Sequence, residues 1–147
     1  MMNILKGKWG IDSNIIIYSF DKNSPFFEKT KVFFNLILKS RVDLYIAQQN
    51  ILECEKVLIY KHKYSRKLII EMISDFIEEF NISIICPLPT TIFHFHKALE
   101  QLRFNDIFDL FLGTTYIDNG IVNLFTNNKK DFKNLSGFNA VNPFDLL

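Results

Sequence analysis

The stretch Lys8-Trp9-Gly10-Ile11-Asp12-Ser13-Asn14-Ile15-Ile16-Ile17-Tyr18-Ser19-Phe20 decides the fold. Its first part reads as a short strand running into a helix over residues 13–20, with Asp12 at the turn and either Asp12 or Ser13 able to cap the helix. Outward from it, the same strand-then-helix unit recurs. After a polar loop at 21–25, residues 26–40 carry Phe27, Val32, Phe33, Leu36 and Ile37 at helical spacing. A β-prone run at 43–47 leads into a helical stripe over 48–61. Residues 65–80 are strongly helical, with Leu68, Ile69, Met72, Ile73, Phe76, Ile77 and Phe80 on one face. An apolar strand at 82–85 ends at Pro87 and Pro89. Two further helices are expected at 90–102 and 106–118, the second stopped by Asn119 and Gly120. Strands at 121–125 and near 138–141 complete the chain. Short apolar strands that do not alternate with polar residues argue for a mostly parallel sheet of about five strands with helices on both faces, a three-layer α/β/α sandwich.

Size and composition agree. The 147 residues suit one domain, 1–147, and 48% hydrophobic residues with 16 Phe give ample material for a core. No apolar run is long enough for a membrane span, and Met1 to Trp9 lacks the apolar stretch of a leader, so a cytoplasmic protein is expected. Cys54 and Cys86 stand in no CxxC pattern and are expected to be buried or inert. A net charge of +1 gives no global attraction to nucleic acid, so any such contact would need a local patch.

In parallel sheets, ligands bind beyond the carboxyl ends of the strands where the strand order reverses. Asp12, Glu53, Asp109 and Asp131 all fall near such positions. Gathered carboxylates repel unless a cation sits among them, and a hard divalent ion with oxygen ligands is the usual answer. Magnesium or manganese fits better than zinc. Each acid also has an ordinary reading: Asp12 as a cap, Glu53 as a solvated residue with Glu55 equally available, Asp131 as a turn residue. Asp109 lies between apolar Phe108, Leu110 and Phe111, where a carboxylate is costly, and Asp106 is its competitor.

Four segments together resemble the PIN-domain ribonucleases, in particular the VapC-like toxins of bacterial toxin–antitoxin modules. Gly10-Ile11-Asp12-Ser13-Asn14-Ile15 is similar to the family's opening motif, and Ile46-Ala47-Gln48-Gln49-Asn50-Ile51-Leu52-Glu53 to its second-strand segment. Asp109-Leu110-Phe111-Leu112-Gly113 with Asn119-Gly120 resembles its acid-bearing helix. Thr126-Asn127-Asn128-Lys129-Lys130-Asp131-Phe132 resembles its closing motif, with Asn128 where many relatives carry Asp. This resemblance favours Glu53 over Glu55 and Asp109 over Asp106, and leaves Asp131 or Asn128 as the fourth ligand, with Asp131 preferred.

The resemblance implies a magnesium- or manganese-dependent endoribonuclease with Asp12, Glu53, Asp109 and Asp131 as catalytic metal ligands. Ser13, Thr126 and Asn128 would support them, and Lys129, Lys130, Lys133 and Arg103 are candidates for RNA phosphates. It further implies a homodimer and a small antitoxin partner. His94 and His96, two positions apart, face different sides of a helix and are read as surface or packing residues. Phe93, Phe95, Phe104, Phe108 and Phe111 read as core that also suits a dimer face. The competing readings are a non-catalytic binding module of this fold and an RNA-processing nuclease outside toxin–antitoxin systems.

Overall fold

Apolar runs too short for helices become strands here because each pairs with a neighbour in one parallel sheet. The computed structural model describes residues 5–147, so the first four positions of the expected leaderless start lie outside it. Strand β1 (Lys6–Ile11) pairs with β2 (Arg41–Ala47) and β4 (Asn123–Phe125); β2 pairs with β3 (Ser83–Ile85), and β4 with β5 (Asn139–Val141). All four pairings are parallel and the order is β3-β2-β1-β4-β5. The order reverses at β1 and β4, so the crevice beyond their carboxyl ends is the switch point of the sheet.

Helices α1 (Ser13–Phe20), α2 (Phe27–Leu38), α3 (Gln48–Glu55) and α4 (Arg66–Glu79) contribute to one layer, and α5 (Thr91–Gln101) and α6 (Ile107–Asp118) to the other. Side chains alternate between them strand by strand, as a period of two requires. Trp9, Ile11, Leu44, Ile46 and Phe125 pack with Ile15, Ile16, Phe33, Phe34, Ile73 and Phe76. Tyr45, Ala47 and Leu124 pack with Leu112, Tyr116 and Phe132 on the opposite face. This is the three-layer, PIN-like sandwich expected, with the sheet wholly parallel.

Local differences have local causes. The helical run expected over 48–61 widens after Glu55 into a π-helical segment, Lys56–Lys61, where the His62 amide reaches the Val57 carbonyl at 3.0 Å. Gly120 ends α6 at φ 77°, a left-handed conformation glycine adopts without strain. Cys54 is buried, whereas Cys86 is exposed because it follows the short β3 into the proline loop. Phe95 is buried, but Phe93 and Phe108 are 68% and 64% exposed, so those two are not core. His94 bonds Asp118 across the α5–α6 contact at 2.8 Å.

Candidate metal centre

Asp12 directly follows β1 and is 7% exposed. Its backbone N–H continues the sheet by donating to the Phe125 carbonyl at 2.9 Å, which places the side chain at the switch point. As N-cap of α1, Oδ1 accepts from the Ser13 amide at 2.8 Å and from Asn50 Nδ2 at 3.1 Å, while Oδ2 accepts from Thr126 Oγ1 at 2.7 Å. Burial pushes the Asp12 carboxyl up to about 6; the Thr126 hydrogen bond opposes this and Glu53 adds to it. Three donors therefore meet the buried carboxyl, two on Oδ1 and one on Oδ2.

Glu53 lies on α3 and meets Asp12 through one hydroxyl: Ser13 Oγ donates to Glu53 Oε2 at 2.8 Å and lies 3.4 Å from Asp12 Oδ1. Gln49, one turn earlier, donates to Glu53 Oε1 at 3.2 Å and to the Phe108 carbonyl at 3.1 Å. That side chain ties α3 to the first turn of α6, where Asp109 sits. Glu55 makes no such contact.

In α6 the two competing acids divide their tasks. Asp106 caps the helix, accepting from the Phe108 amide at 2.8 Å. Asp109, half-buried, has no side-chain hydrogen-bond partner among the described residues. Its carboxyl is pushed up to about 7, first by burial and then by repulsion from Asp106, Asp131, Asp12 and Glu53. Asp109 and Asp131 line a cavity of about 170 Å³ together with Arg103, Lys130, Lys133 and Asn134. Gly113, one turn on, packs closely under Leu135: a Cβ there would stand 2.5 Å from Leu135 Cδ2, so the leucine would have to turn aside.

The supporting residues separate. Ser13 and Thr126 touch the carboxylates directly. Asn128 is exposed, and only its backbone engages, its N–H donating to Thr126 Oγ1 at 3.0 Å and its carbonyl accepting from the Asp131 amide at 3.0 Å. Lys129 turns to Asp145 at 3.3 Å and does not line the acidic cavity, unlike Lys130 and Arg103. Two residues went unnoticed in the sequence: Asn50, fully buried on Asp12, and Tyr116, whose hydroxyl holds Asn50 at 2.7 Å. Asn50 had a signal, since it precedes Glu53 by three and shares its helix face. Tyr116 had none, because a tyrosine on an apolar stripe reads as core.

The donors fit a hard divalent cation: all are oxygens, and they repel one another. The nearest thiol, Cys54, is pushed up by burial and by Asp12 and Glu53, and donates to the Ser13 carbonyl at 3.6 Å, so it adds no soft ligand. The four acids do not form a finished cage, however. Among the described residues no three His, Cys, Asp or Glu side chains stand close enough to hold a metal ion as they are. Asp12 and Glu53 are joined through Ser13, whereas Asp109 and Asp131 line their own cavity and Asp109 feels Asp12 and Glu53 as repelling charges.

No protein-family model and no curated protein sequence matches the chain. Solved structures do. The chain is similar to a chain of VapBC-1 from nontypeable Haemophilus influenzae, at TM-score 0.70 and 19% identity over 93% of this chain and 98% of the other. It is similar to a chain of VapBC2 from Rickettsia felis, a structure bound to a DNA fragment from their promoter, at TM-score 0.69 and 19% identity over 92% and 98%. It is also similar to Mycobacterium tuberculosis VapC20, described as a sarcin-ricin loop cleaving toxin, at TM-score 0.66 and 8% identity over 86% and 96%. With its parallel sheet and its acids at the switch point, the chain therefore has the PIN-like fold of these VapBC and VapC structures.

Proposed function

We propose that this chain is a divalent-metal-dependent endoribonuclease and the toxin of a toxin–antitoxin pair, acting in the cytoplasm. The observation that carries the reading is the pair of carboxylates, Asp12 and Glu53, joined through Ser13 at the switch point of the sheet and close enough to Asp109 to repel it. Asp12, Glu53, Asp109 and Asp131 would hold magnesium or manganese, which supplies positive charge against the phosphate and eases ionisation of water at neutral pH. Each carboxylate oxygen has two lone pairs. Asp12 Oδ1 has both engaged, by Ser13 and Asn50, but Oδ2 has only Thr126 and keeps one free. Glu53 keeps one free on each oxygen, with a single donor apiece. Asp109 and Asp131 keep theirs. Arg103, Lys130 and Lys133, around the cavity that Asp109 and Asp131 share, are suited to RNA phosphates on either side of the scissile bond.

A small antitoxin is the expected partner, in keeping with the fold shared with VapBC structures. A homodimer would cover the exposed apolar side chains of α5 and α6: Phe93, Phe108 and Ile107. No helix among the described residues is long and apolar enough to cross a membrane. The competing binding-module reading draws on the unfinished cage; under it the chain cuts no RNA and Asp12→Asn leaves partner binding intact. Wild type and Asp109→Asn expressed without antitoxin in a bacterium separate the two. Growth arrest with fragmented RNA for wild type alone supports the nuclease. Equal arrest by both, or arrest by neither, contradicts it.

A further inference from the structure

A buried phenol must place its hydroxyl, and Tyr116 does so in a way that a core tyrosine has no need of. The side chain is fully buried in the last turn of α6, and its ring lies against the backbone of β1 at Gly10. Gly10 makes this possible: a Cβ there would stand 2.5 Å from Tyr116 Cε1 and 2.9 Å from Cζ, atoms of a ring with no free space to retreat into. So seated, the hydroxyl meets three elements at once. It accepts from the Ala47 amide at the end of β2 at 3.1 Å, and it lies 2.7 Å from Asn50 Oδ1 and 3.2 Å from the Ile11 carbonyl at the end of β1.

The order of donors decides what this contact does. The Ala47 amide can only donate, so Tyr116 is its acceptor, and the one phenolic hydrogen goes to the shorter contact, Asn50 Oδ1. That fixes the Asn50 amide with its carbonyl toward Tyr116 and its NH2 toward Asp12 Oδ1, at 3.1 Å. A parallel chain ends on the other oxygen. The Asn128 amide donates to Thr126 Oγ1 at 3.0 Å, which sends the threonine hydrogen to Asp12 Oδ2 at 2.7 Å. Two directional chains thus arrive on the two oxygens of one carboxylate, fix its plane, and leave a lone pair on Oδ2.

We infer that Tyr116 and Asn50, seated by Gly10, are positioning residues that aim the Asp12 carboxylate at a divalent cation. The inference rests on the metal reading proposed above and adds to it two residues that touch neither metal nor RNA. Without the phenolic hydroxyl, Asn50 is free to turn its carbonyl toward Asp12, where it would repel the carboxylate and compete with it for orientation. Residues that orient a metal ligand from behind typically account for about 10- to 100-fold in metal affinity.

Tyr116→Phe tests this cleanly because the ring that fills the space over Gly10 stays. Manganese binding to the purified, RNA-free protein is measured from the free-ion electron paramagnetic resonance signal, alongside the circular dichroism spectrum and melting curve. The expected result is a native spectrum with manganese affinity weakened at least about 10-fold. The manganese concentration for half-maximal RNA cleavage should rise by the same factor, with the rate at saturating manganese within about threefold of wild type. Thr30→Val is the control: its hydroxyl is equally buried but bonds only the Phe27 carbonyl in α2. It should leave manganese affinity unchanged whatever it does to melting. Affinity of Tyr116→Phe within twofold of wild type, or an equal loss in Thr30→Val, overturns the positioning role while the metal reading stands. A wild-type protein that takes up no manganese overturns the metal reading, and the positioning role with it.

Discussion

Asp12 and Asp109 lie close enough to repel one another, but the protein treats them in opposite ways. Asp12 is buried behind β1, with donors from Ser13, Asn50 and Thr126 already on it. Asp109 is half exposed in the first turn of α6, with no donor among the described residues and with like charges around it. Both carboxyls are pushed up mainly by burial, yet only one has that cost offset within the fold. A carboxylate held in place before any ligand arrives sets geometry; one held in repulsion gains most when a cation comes. Under the proposed metal reading, a cation would complete what the fold leaves half built.

The largest effects should set the two acids apart. Thr126→Val leaves Asp12 Oδ2 and the Asn128 amide without their buried partner, so unfolding free energy should fall by about 1–3 kcal/mol in denaturant titrations. Asp109→Asn loses no hydrogen bond and relieves repulsion, so metal-free stability at pH 8 should rise, by on the order of 1 kcal/mol once exposure is discounted. Equal destabilisation by both changes would erase the distinction.

A smaller effect is expected from pH. Both acids have folded values, about 6 and about 7, above the ordinary carboxylate value of 3.8. Between those limits the folded chain holds more protons than the unfolded one, so these groups favour the fold most below pH 4. Their contribution declines as pH rises to about 7 and is flat beyond. Melting of wild type should show this decline without metal and lose much of it in excess magnesium, which binds the folded chain alone. In Asp109→Asn the part above pH 6 should be absent.

The smallest effect separates the lysines. Lys130 shares the cavity of Asp109, whereas Lys129 is engaged with Asp145. Lys130→Ala should reduce the slope of log RNA affinity against log salt by about one, and Lys129→Ala should leave it unchanged. The reverse order would move the RNA path to the other side of the closing turn.

Much of this was legible because strands inside a parallel sheet are short and apolar, as the runs around Trp9, Tyr45 and Leu124 are, whereas Ile84 on the edge strand β3 is apolar yet 51% exposed. Asp12 and Gly120 were legible for a similar reason, since turns and helix ends demand particular residues. What stayed hidden depends on partners remote in sequence. Gly10 reads as a weak strand residue until Tyr116, from α6, is seen lying on it. The widening of the helix after Glu55 has no periodic signature in Lys56–Lys61. Phe93 and Phe108 have the composition of a core and the position of a surface. Lys129 and Lys130 are chemically alike, and only the C-terminal turn, which brings Asp145 to the first, tells them apart.

The central claim is tested most directly by incubating the purified chain with a structured RNA in magnesium and in EDTA, beside Asp12→Asn. The account predicts internal cleavage by wild type that needs the metal, stops in EDTA and falls by about 10³-fold in Asp12→Asn. Cleavage that persists in EDTA, or that Asp12→Asn carries out as fast as wild type, would contradict it.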